Sequence, residues 1–375
     1  MNKTIRWVCP SCKRKWIQPV EKCVYCKTKT EKEIGCKLKV IGITKVYVPS
    51  VMHPIVPYNI LLLEDEFGNK MPKKCIRDYS IGDEYVAKSS NNSHAVSITK
   101  IKYDVYEAVT EALELIGGLE ISKETRILIK PNIMASIYPY LGAVTHPSTV
   151  EAVISYLINN GASAESINLA EQCIYNPLDD ALAKSGIGKL CIDSKIKFIN
   201  IAETEFAESS IGNTKVRLSK LPLDYDLIIN MPVLKTHLLF GISGALENMT
   251  RFITKESLAM LQSITLEISE NIVMINKMLP KYITVADGVV GMQGNGPLNG
   301  EPAFLNYILA SRDPVALDSV FAQLGMFTRI PKYLAIAEKV GIGTADISKI
   351  PVVGNEINAV ARELKPAIGS KLLKS

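Results

Sequence analysis

Four cysteines near the N-terminus form the strongest chemical pattern in the sequence. They occur as two CxxC pairs, Cys9 with Cys12 and Cys23 with Cys26, separated by ten residues. Four thiolates at this spacing can surround one soft metal ion, and a site closed by four sulfurs leaves no open position for a substrate. The pattern therefore predicts a zinc ribbon over residues 1–35 with one structural zinc ion. Iron accepts the same four thiolates, so an iron-containing redox protein is the alternative.

The remaining composition indicates a globular chain in a reducing compartment. The 375 residues are 47% hydrophobic and 22% charged, which is typical of a chain with a sizeable core. No apolar run reaches the ~18 residues of a membrane span, so no membrane contact is predicted. The four cysteines outside the CxxC pairs are scattered along the chain, at Cys36, Cys75, Cys173 and Cys191. No targeting segment precedes the CxxC pairs. Both observations favour free thiols in the cytoplasm over a secreted disulfide framework.

The positive charge is concentrated at the N-terminus. The formal net charge is +5, yet residues 1–40 alone hold eleven Lys or Arg against three Glu. Such a basic region can contact nucleic acid, an acidic partner or a phosphate-bearing ligand, and it can equally serve solubility alone.

Short β-runs follow the cysteines over residues 36–88. They are rich in β-branched and aromatic residues and are separated by turns, which predicts a small OB-type β-barrel. With the ribbon, this order resembles the zinc-ribbon and OB-fold proteins that accompany acyl-CoA enzymes such as thiolases. The resemblance implies an acyl-CoA enzyme as partner. The alternative is a nucleic-acid- or ribosome-associated protein, for which Tyr47, Tyr58 and Phe67 are the available stacking residues.

From about residue 100 the hydrophobic period changes. Strand patterns alternate with helical patterns over 100–355, which predicts an α/β fold with a mostly parallel sheet covered by helices on both faces. A polar linker is predicted at 89–93, a helical insertion at 252–279 and a basic C-terminal tail at 356–375. The predicted strands are 125–130, 166–170, 197–201, 226–230, 282–286 and 305–310.

Side chains capable of chemistry follow five of these strands. Ligands bind outside the carboxyl ends of the strands in open α/β sheets, so a site for an anionic small molecule is predicted there. Lys235 and His237 are the predicted catalytic pair, because a Lys after a buried strand is costly unless it serves an anion and His exchanges a proton near neutral pH. The alternative for Lys235 is an ion pair with Asp287 or Asp313 that holds loops together. Asp287 is predicted to orient His237 or to bind a cation, with a structural Asp-Gly turn as the alternative. The predicted ligand-binding residues are Lys130, Asn132, His146, Asn248, Gly294, Asn295, Gly296 and Asp313.

Some of the predicted site residues have a structural alternative, and others have a specific predicted role. His146 and Asp313 each precede a proline, so both are also interpreted as helix-start residues. Lys130 and Lys235 are predicted to neutralise the anion, while backbone amides of the Gly294–Gly296 loop contact it. The glycine-rich loops at 241–248 and 291–297 match no nucleotide fingerprint, so no nucleotide cofactor is predicted.

Seven short motifs occur in a fixed order along the α/β region. They are Lys130-Pro-Asn132, Thr145-His-Pro147, Pro232-Val-Leu-Lys-Thr-His237, Gly244-Ala-Leu-Glu-Asn248, Asp287-Gly288, Gly294-Asn-Gly-Pro297 and Ser311-Arg-Asp-Pro-Val315. Their order resembles domain-of-unknown-function family 362 over about residues 100–355. That family is distantly similar to the nickel-pincer lactate racemases, in which Lys and His side chains serve a cofactor and a 2-hydroxy acid. The chain departs from the family at Glu247, where Lys is usual, and at Gln293, where an acid is frequent, so the resemblance leaves the substrate and the activity open.

The sequence as a whole predicts a zinc-ribbon and OB module fused to an α/β domain. The α/β domain is predicted to act on a carboxylate or an acyl-CoA-type thioester by Lys and His acid–base chemistry.

Overall fold

The structure is a computed structural model that describes residues 5–17, 20–34, 37–48, 58–75, 78–85, 92–102, 104–263 and 268–369. Contacts between residues divide the chain into two units, Met1–Ser89 and Ser90–Ser375. The predicted linker at 89–93 lies largely outside the described residues, which resume at residue 92. No helix in the described ranges combines the length and the hydropathy of a membrane span.

The N-terminal unit contains two small antiparallel sheets. The first has the order β2–β1–β3 and is formed by β1 (Ile5–Val8), β2 (Lys15–Trp16) and β3 (Glu31–Ile34). The second has the order β4–β5–β6 and is formed by β4 (Leu38–Val46), β5 (Tyr58–Asp65) and β6 (Lys70–Cys75). One small apolar core joins the two sheets and consists of Ile17, Leu38, Val40, Leu61 and Leu63.

The second sheet is open, which corrects the predicted OB-type barrel at 36–88. β5 pairs with β4 on one side and with β6 on the other, and a single bridge joins Lys39 to Glu84. Within the described residues no pairing joins β4 to β6, so no barrel closes there. Local β-propensity predicted that strands occur, but closure depends on pairing between strands distant in sequence, which propensity does not report.

The second unit is a mixed α/β fold built on one large, mostly parallel sheet, as predicted. The main path of the sheet has the order β10–β9–β8–β13–β16–β18–β7–β19. Beside this path, β14 and β17 pair with β16, and β15 pairs with β14. The strands β11 and β12 form a separate hairpin. The strands are β7 (Val96–Lys100), β8 (Ile127–Pro131), β9 (Ile167–Glu171), β10 (Lys197–Asn200), β11 (Phe206–Ile211), β12 (Thr214–Ser219), β13 (Leu227–Met231), β14 (Val233–His237), β15 (Gly241–Ser243), β16 (Ile283–Asn295), β17 (Asn299–Ala303), β18 (Tyr307–Ser311) and β19 (Val352–Gly354).

Helices cover both faces of this sheet. β8 shows why, because Ile127 and Ile129 point to one apolar cluster while Leu128 points to another on the opposite face. The helices are α1 (Val105–Leu115), α2 (Pro147–Asn159), α3 (Leu178–Ser185), α4 (Ile187–Asp193), α5 (Ala245–Asn248), α6 (Lys255–Ser263), α7 (Ile268–Met278), α8 (Pro314–Leu324), α9 (Lys332–Lys339) and α10 (Ile357–Val360).

Strand direction differs from a wholly parallel arrangement at one place. On the main path of the sheet β18 alone runs antiparallel, pairing with β16 and β7 in that sense. The carboxyl end of β18 therefore lies at the opposite edge of the sheet from the carboxyl ends of β8, β9 and β13, which all run parallel to one another.

The insertion and the tail have the following structure. The insertion at 252–279 contains two helices, α6 and α7, and much of α7 is buried. The described part of the tail contains only the four-residue helix α10, after which residues 361–367 have no regular secondary structure.

Candidate functional site

The four cysteines predicted to bind a metal meet at one point of the N-terminal unit. Their sulfur atoms all lie within 4.8 Å of one another, with 3.2 Å between Cys9 and Cys26 and 3.6 Å between Cys12 and Cys23. Four sulfurs at ~2.3 Å from a tetrahedral ion lie about 3.8 Å apart, so this donor set fits one metal ion. The structure confirms one cluster able to bind a metal, and the sulfur geometry suits zinc and iron alike.

Both CxxC pairs have the same local geometry. In each, the amide of the second cysteine donates to the sulfur of the first over 3.4 Å. The residue after each pair, Lys13 or Lys27, has a left-handed backbone with φ of 58° or 60°, and its amide donates to the carbonyl of the first cysteine. These turns aim the sulfurs at a common point, and their amides stabilise thiolate charge.

The aromatic residues of the nucleic-acid alternative are differently placed. Phe67 is exposed, but Arg6 and Lys15 lie over its ring at 4.5 and 4.3 Å from the centroid. Tyr47 is exposed, and the side chain of Tyr58 lies outside the described residues. This alternative stays a prediction.

In the α/β unit, Lys130 is fully buried at the carboxyl end of β8. Its Nζ donates to Oε2 of Glu171 at 2.8 Å and to Oδ1 of Asn248 at 3.2 Å. The carboxylate of Glu171 also accepts the amides of Ile133 and Gln172. Burial lowers the pKa of Lys130 and the attraction of Glu171 opposes this. The charge of Lys130 is therefore neutralised within the protein.

Lys235 is also fully buried, but it has only neutral hydrogen-bond partners among the described residues. Its Nζ donates to the carbonyl of Ala143 at 3.0 Å and lies 3.2 Å from Sδ of Met134. With the Asn132 amide oriented to donate to Ala143, its Oδ1 accepts from Nζ at 3.3 Å. Burial lowers the pKa of Lys235 to about 8. A buried ammonium without a carboxylate partner can accept an anion as its missing partner.

His237 is buried and its hydrogen bonds define its tautomer. The amides of Leu239 and Phe240 donate to Nδ1 at 3.1 and 3.4 Å, so the neutral ring carries its proton on Nε2. The ring of Phe240 stacks on the imidazole at 4.4 Å. Burial lowers the pKa of His237 to about 4. The ring is therefore neutral at pH 7 and acts as a hydrogen-bond donor through Nε2.

Glu247 and Arg251 form a buried ion pair that the sequence motifs did not assign to the site. Arg251 Nη2 lies 3.3 Å from Oε1 of Glu247, and both side chains are at least nine-tenths buried. Nη1 of Arg251 is shielded from solvent and has no hydrogen-bond partner in the described residues. An unsatisfied buried guanidinium donor costs free energy, so Nη1 offers a second place for an anion.

Strand pairing places Lys235, His237 and Ser243 on one face of the sheet, where Ser243 contacts Glu247. Lys235 and His237 are two residues apart in β14, so their side chains point the same way. Ser243 of β15 is the register partner of Lys235, and its hydroxyl donates to Oε2 of Glu247 at 2.7 Å. Burial would raise the pKa of Glu247, but Arg251, His237 and Lys235 outweigh it and lower that pKa to about 2. We use the name buried charge cluster for Lys130, Glu171, Lys235, His237, Glu247 and Arg251.

The short helix α5 holds Glu247 in this cluster. Asp318 fixes the start of α5, since its carboxylate accepts the amides of Ala245 at 2.6 Å and Leu246 at 3.2 Å. A Cβ on Gly244 would lie 2.1 Å from Oδ1 of Asp318. Only glycine fits there, which explains why this motif begins with that residue.

Asp287 contacts the start of α2 instead of orienting His237. Its carboxylate accepts the amide of His146 at 2.6 Å, the hydroxyl of Thr149 at 3.1 Å and the amide of Val289 at 2.9 Å. His146 is the N-cap of α2, with Nδ1 2.6 Å from the hydroxyl of Ser148. The contacts of both residues match their structural interpretations.

Asp313 lies at the opposite edge of the sheet, because β18 is antiparallel. It is the N-cap of α8 and accepts the amides of Val315 and Ala316 at 2.8 and 2.9 Å. Oδ2 of Asp313 also lies 2.6 Å from Nδ1 of His94. Asp313 therefore lies apart from Lys130 and Lys235, whereas its expected position assumed a parallel strand. Its contacts match the helix-start interpretation.

The Gly294–Gly296 loop does not offer the predicted amides. The amide of Gly294 donates to the carbonyl of Lys365 at 2.7 Å, and the amide of Gly296 donates to the carbonyl of Gly294 at 2.8 Å. Oδ1 of Asn295 accepts the amide of Ile368 at 2.9 Å. The loop binds the tail of the chain, so these amides are already satisfied.

The structure thus brings together five of the predicted site residues, Lys130, Asn132, Lys235, His237 and Asn248. Glu171, Glu247 and Arg251 join them. A usable signal for the last two was present in the sequence, namely opposite charges four residues apart in the segment 245–252.

Known proteins resemble this chain to different extents. A family model described as "Domain of unknown function (DUF362)" matches residues 127–323. The thylakoid-associated protein sll1697 of Synechocystis sp. is 25% identical over 249 residues, which cover 61% of this chain and 74% of that protein. The lactate racemase apoprotein from Thermoanaerobacterium thermosaccharolyticum has a TM-score of 0.38 and 12% identity, covering 66% of this chain and 58% of that chain. The Ltp2-ChsH2(DUF35) aldolase has a TM-score of 0.19 and 17% identity, covering 21% of this chain and 68% of that chain. Both scores are too low to define a fold or an activity.

The family model begins at the first residue of β8 and ends within α8, and it includes every member of the buried charge cluster. The resemblance expected over about 100–355 is confirmed over 127–323. Because this match spans more than half of the 375 residues, the chain belongs to the family described as Domain of unknown function (DUF362).

Proposed function

We propose that the α/β unit binds a small anionic molecule at the buried charge cluster and exchanges a proton with it through Lys235. The observation that supports this most directly is the fully buried ammonium of Lys235, which has no carboxylate partner in the described residues. A charged group in such a place destabilises the protein unless a counter-charge arrives.

The members of the buried charge cluster have different proposed roles, because their surroundings give them different pKa values and hydrogen-bond partners. Lys235 has a pKa of about 8, which is close to the pH of the cell and suits proton exchange. His237 has a pKa of about 4 and an Nε2 proton, so we assign it the role of a neutral hydrogen-bond donor to an oxygen of the ligand. Lys130 and Glu171 neutralise each other and position Asn248.

Replacing Lys235 by Met is expected to weaken the binding of acetate, malonate or inorganic phosphate, whichever the wild-type protein binds. The expected loss is about 1–3 kcal/mol, the contribution of a charge-assisted partner. Met keeps most of the buried volume, whereas the complete burial of Lys235 means that Ala would leave a cavity. The affinities are measured by isothermal titration calorimetry. Each injection needs time to reach equilibrium, because Lys235 is buried and the ligand enters only when the protein opens.

Lys332→Met provides the matched control, because Lys332 is exposed and its partner Glu270 is partly exposed. The control should keep wild-type affinity, and thermal melts should show that both variants are folded. Undiminished binding in a folded Lys235→Met protein would contradict the proposal.

Anion affinity is expected to fall as the pH rises above about 8. Below the pKa of Lys235 the side chain carries its proton and the affinity stays level. Above it the ammonium is lost, and affinity falls by up to about tenfold per pH unit. Binding titrations between neutral pH and about pH 10 measure this fall in affinity. If Lys235→Met showed the same fall, the titrating group would be a residue other than Lys235.

For the N-terminal unit we propose a structural zinc ion, supported by four sulfurs that close the site. The acyl-CoA partner, the nucleic-acid alternative and the cytoplasmic location stay predictions.

A further inference from the structure

The charges of the buried charge cluster do not cancel. Three cationic side chains, Lys130, Lys235 and Arg251, face two carboxylates, Glu171 and Glu247. The ring of His237 is neutral, because two main-chain amides donate to its Nδ1. Among these six side chains, all of them in the described part of the chain, one positive charge is left without a carboxylate partner in a region shielded from water.

The ion pairs within the cluster show which cation carries the excess charge. Lys130 lies 2.8 Å from Glu171, and Arg251 lies 3.3 Å from Glu247. The unpaired cation is Lys235, whose neighbour across the strand pair, Ser243, donates to Glu247. The excess charge therefore lies beside the Glu247–Arg251 pair.

Arg251 lies close enough to Lys235 for its charge to lower the pKa of that lysine, and it has one unused donor. Its side chain is 7% exposed, Nη2 is used by Glu247, and Nη1 is shielded from solvent without a partner in the described chain. A planar carboxylate has two oxygens, so one ligand can accept from Nζ of Lys235 and from Nη1 of Arg251 together.

Two further buried carboxylates, Asp318 and Asp287, lie outside the cluster. Burial raises the pKa of Asp318 to about 7 and also raises the pKa of Asp287, which favours their neutral forms. Asp318 lies close enough to Glu247 to influence it, but it is held by two amides of α5 and by the hydroxyl of Tyr333. Asp287 is occupied by the start of α2. Neither forms a hydrogen bond or an ion pair with Lys235 or Arg251.

We infer that the ligand of this site is a small monocarboxylate, held between Lys235 and Arg251, and that Glu247 sets the preference for one negative charge over two. This rests on the proposed anion site and decides between its candidate ligands. A monoanion brings the buried charges to balance, while a dianion or the several phosphate charges of an acyl-CoA would leave a buried negative excess.

The test compares acetate and propionate with malonate and inorganic phosphate at neutral pH. The wild-type protein is expected to bind the two monocarboxylates more tightly than malonate. Glu247→Gln keeps the shape of the side chain and removes one negative charge, so the ratio of acetate affinity to malonate affinity should fall by about tenfold or more. Glu301→Gln is the matched control, since Glu301 is exposed and pairs with Lys365; it should leave the ratio unchanged.

A second variant keeps the inference testable if Glu247→Gln does not fold. Arg251→Lys retains the charge and removes Nη1, so it should weaken acetate binding about tenfold while acetate remains preferred over malonate. Three results would overturn this inference without contradicting the anion site. They are a wild-type preference for malonate or phosphate, an unchanged ratio of acetate affinity to malonate affinity in folded Glu247→Gln, and full acetate affinity in Arg251→Lys. A wild-type protein that binds none of the four probes would overturn both.

Discussion

Removing the metal from the four-cysteine cluster is expected to unfold the N-terminal unit. Its apolar core contains five fully buried side chains in the described residues, too few to support a module of this size alone. A structural zinc site contributes about 10–16 kcal/mol to the folding of such modules. Chelation should therefore abolish amide protection in residues 5–34, measured by hydrogen exchange of the full-length protein.

Elemental analysis completes this prediction and separates its alternatives. We expect about one zinc ion per chain in a colourless protein. Cys26→Ser should lose the metal, while Cys191→Ala should retain it, because Cys191 is a buried thiol outside the cluster. A coloured protein containing iron would support the redox alternative, and a metal-free protein with a protected ribbon would contradict a structural metal.

Replacing Lys130 by Met is expected to destabilise the α/β unit by about 3–5 kcal/mol. The change leaves Glu171 buried without its counter-charge, and the two amides it accepts compensate only in part. Urea unfolding followed by circular dichroism measures the loss. Adding Glu171→Gln to the Met variant should restore part of it, because the uncompensated charge is removed with the carboxylate.

Arg126→Met is the matched control for this experiment. Arg126 lies directly before β8 and pairs with Asp226 at 2.8 Å, but both side chains are about half exposed. Removing that pair should cost less than about 1 kcal/mol. Equal losses in the two variants would mean that the buried pair contributes no more than a solvated one.

Sequence reasoning identified the residues that the structure brings together best where the chemistry is local. A lysine at the end of a buried strand is costly wherever the chain takes it, so Lys130 and Lys235 could be assigned from type and position alone. Asn132 directly follows β8, and Asn248 was predicted from the glycine-rich segment 241–248. The metal cluster was equally local, since its spacing requires the knuckle turns that the structure contains.

The errors arose where distant parts of the chain decide. Asp313 was assigned to the wrong edge because the direction of β18 follows from the β16–β17 hairpin and not from its own residues. The amides of the Gly294–Gly296 loop were assigned to an anion, but Lys365 of the C-terminal tail accepts one of them. The spacing of Glu247 and Arg251 signalled an ion pair, but only the packed structure reveals that one nitrogen of Arg251 lacks an acceptor in the described residues.

The strand order determines how much of this gene product must be kept to obtain a folded domain. β18 lies inside the sheet only because β7, from the beginning of the unit, pairs with it, and β19 pairs with β7 in turn. A recombinant fragment cut to the family match at 127–323 would lack both outer strands and expose the apolar edge of Tyr307–Ser311 to intermolecular pairing. During synthesis the same order leaves β7 without β18 until residues 307–311 have left the ribosome, so the sheet is completed late in translation.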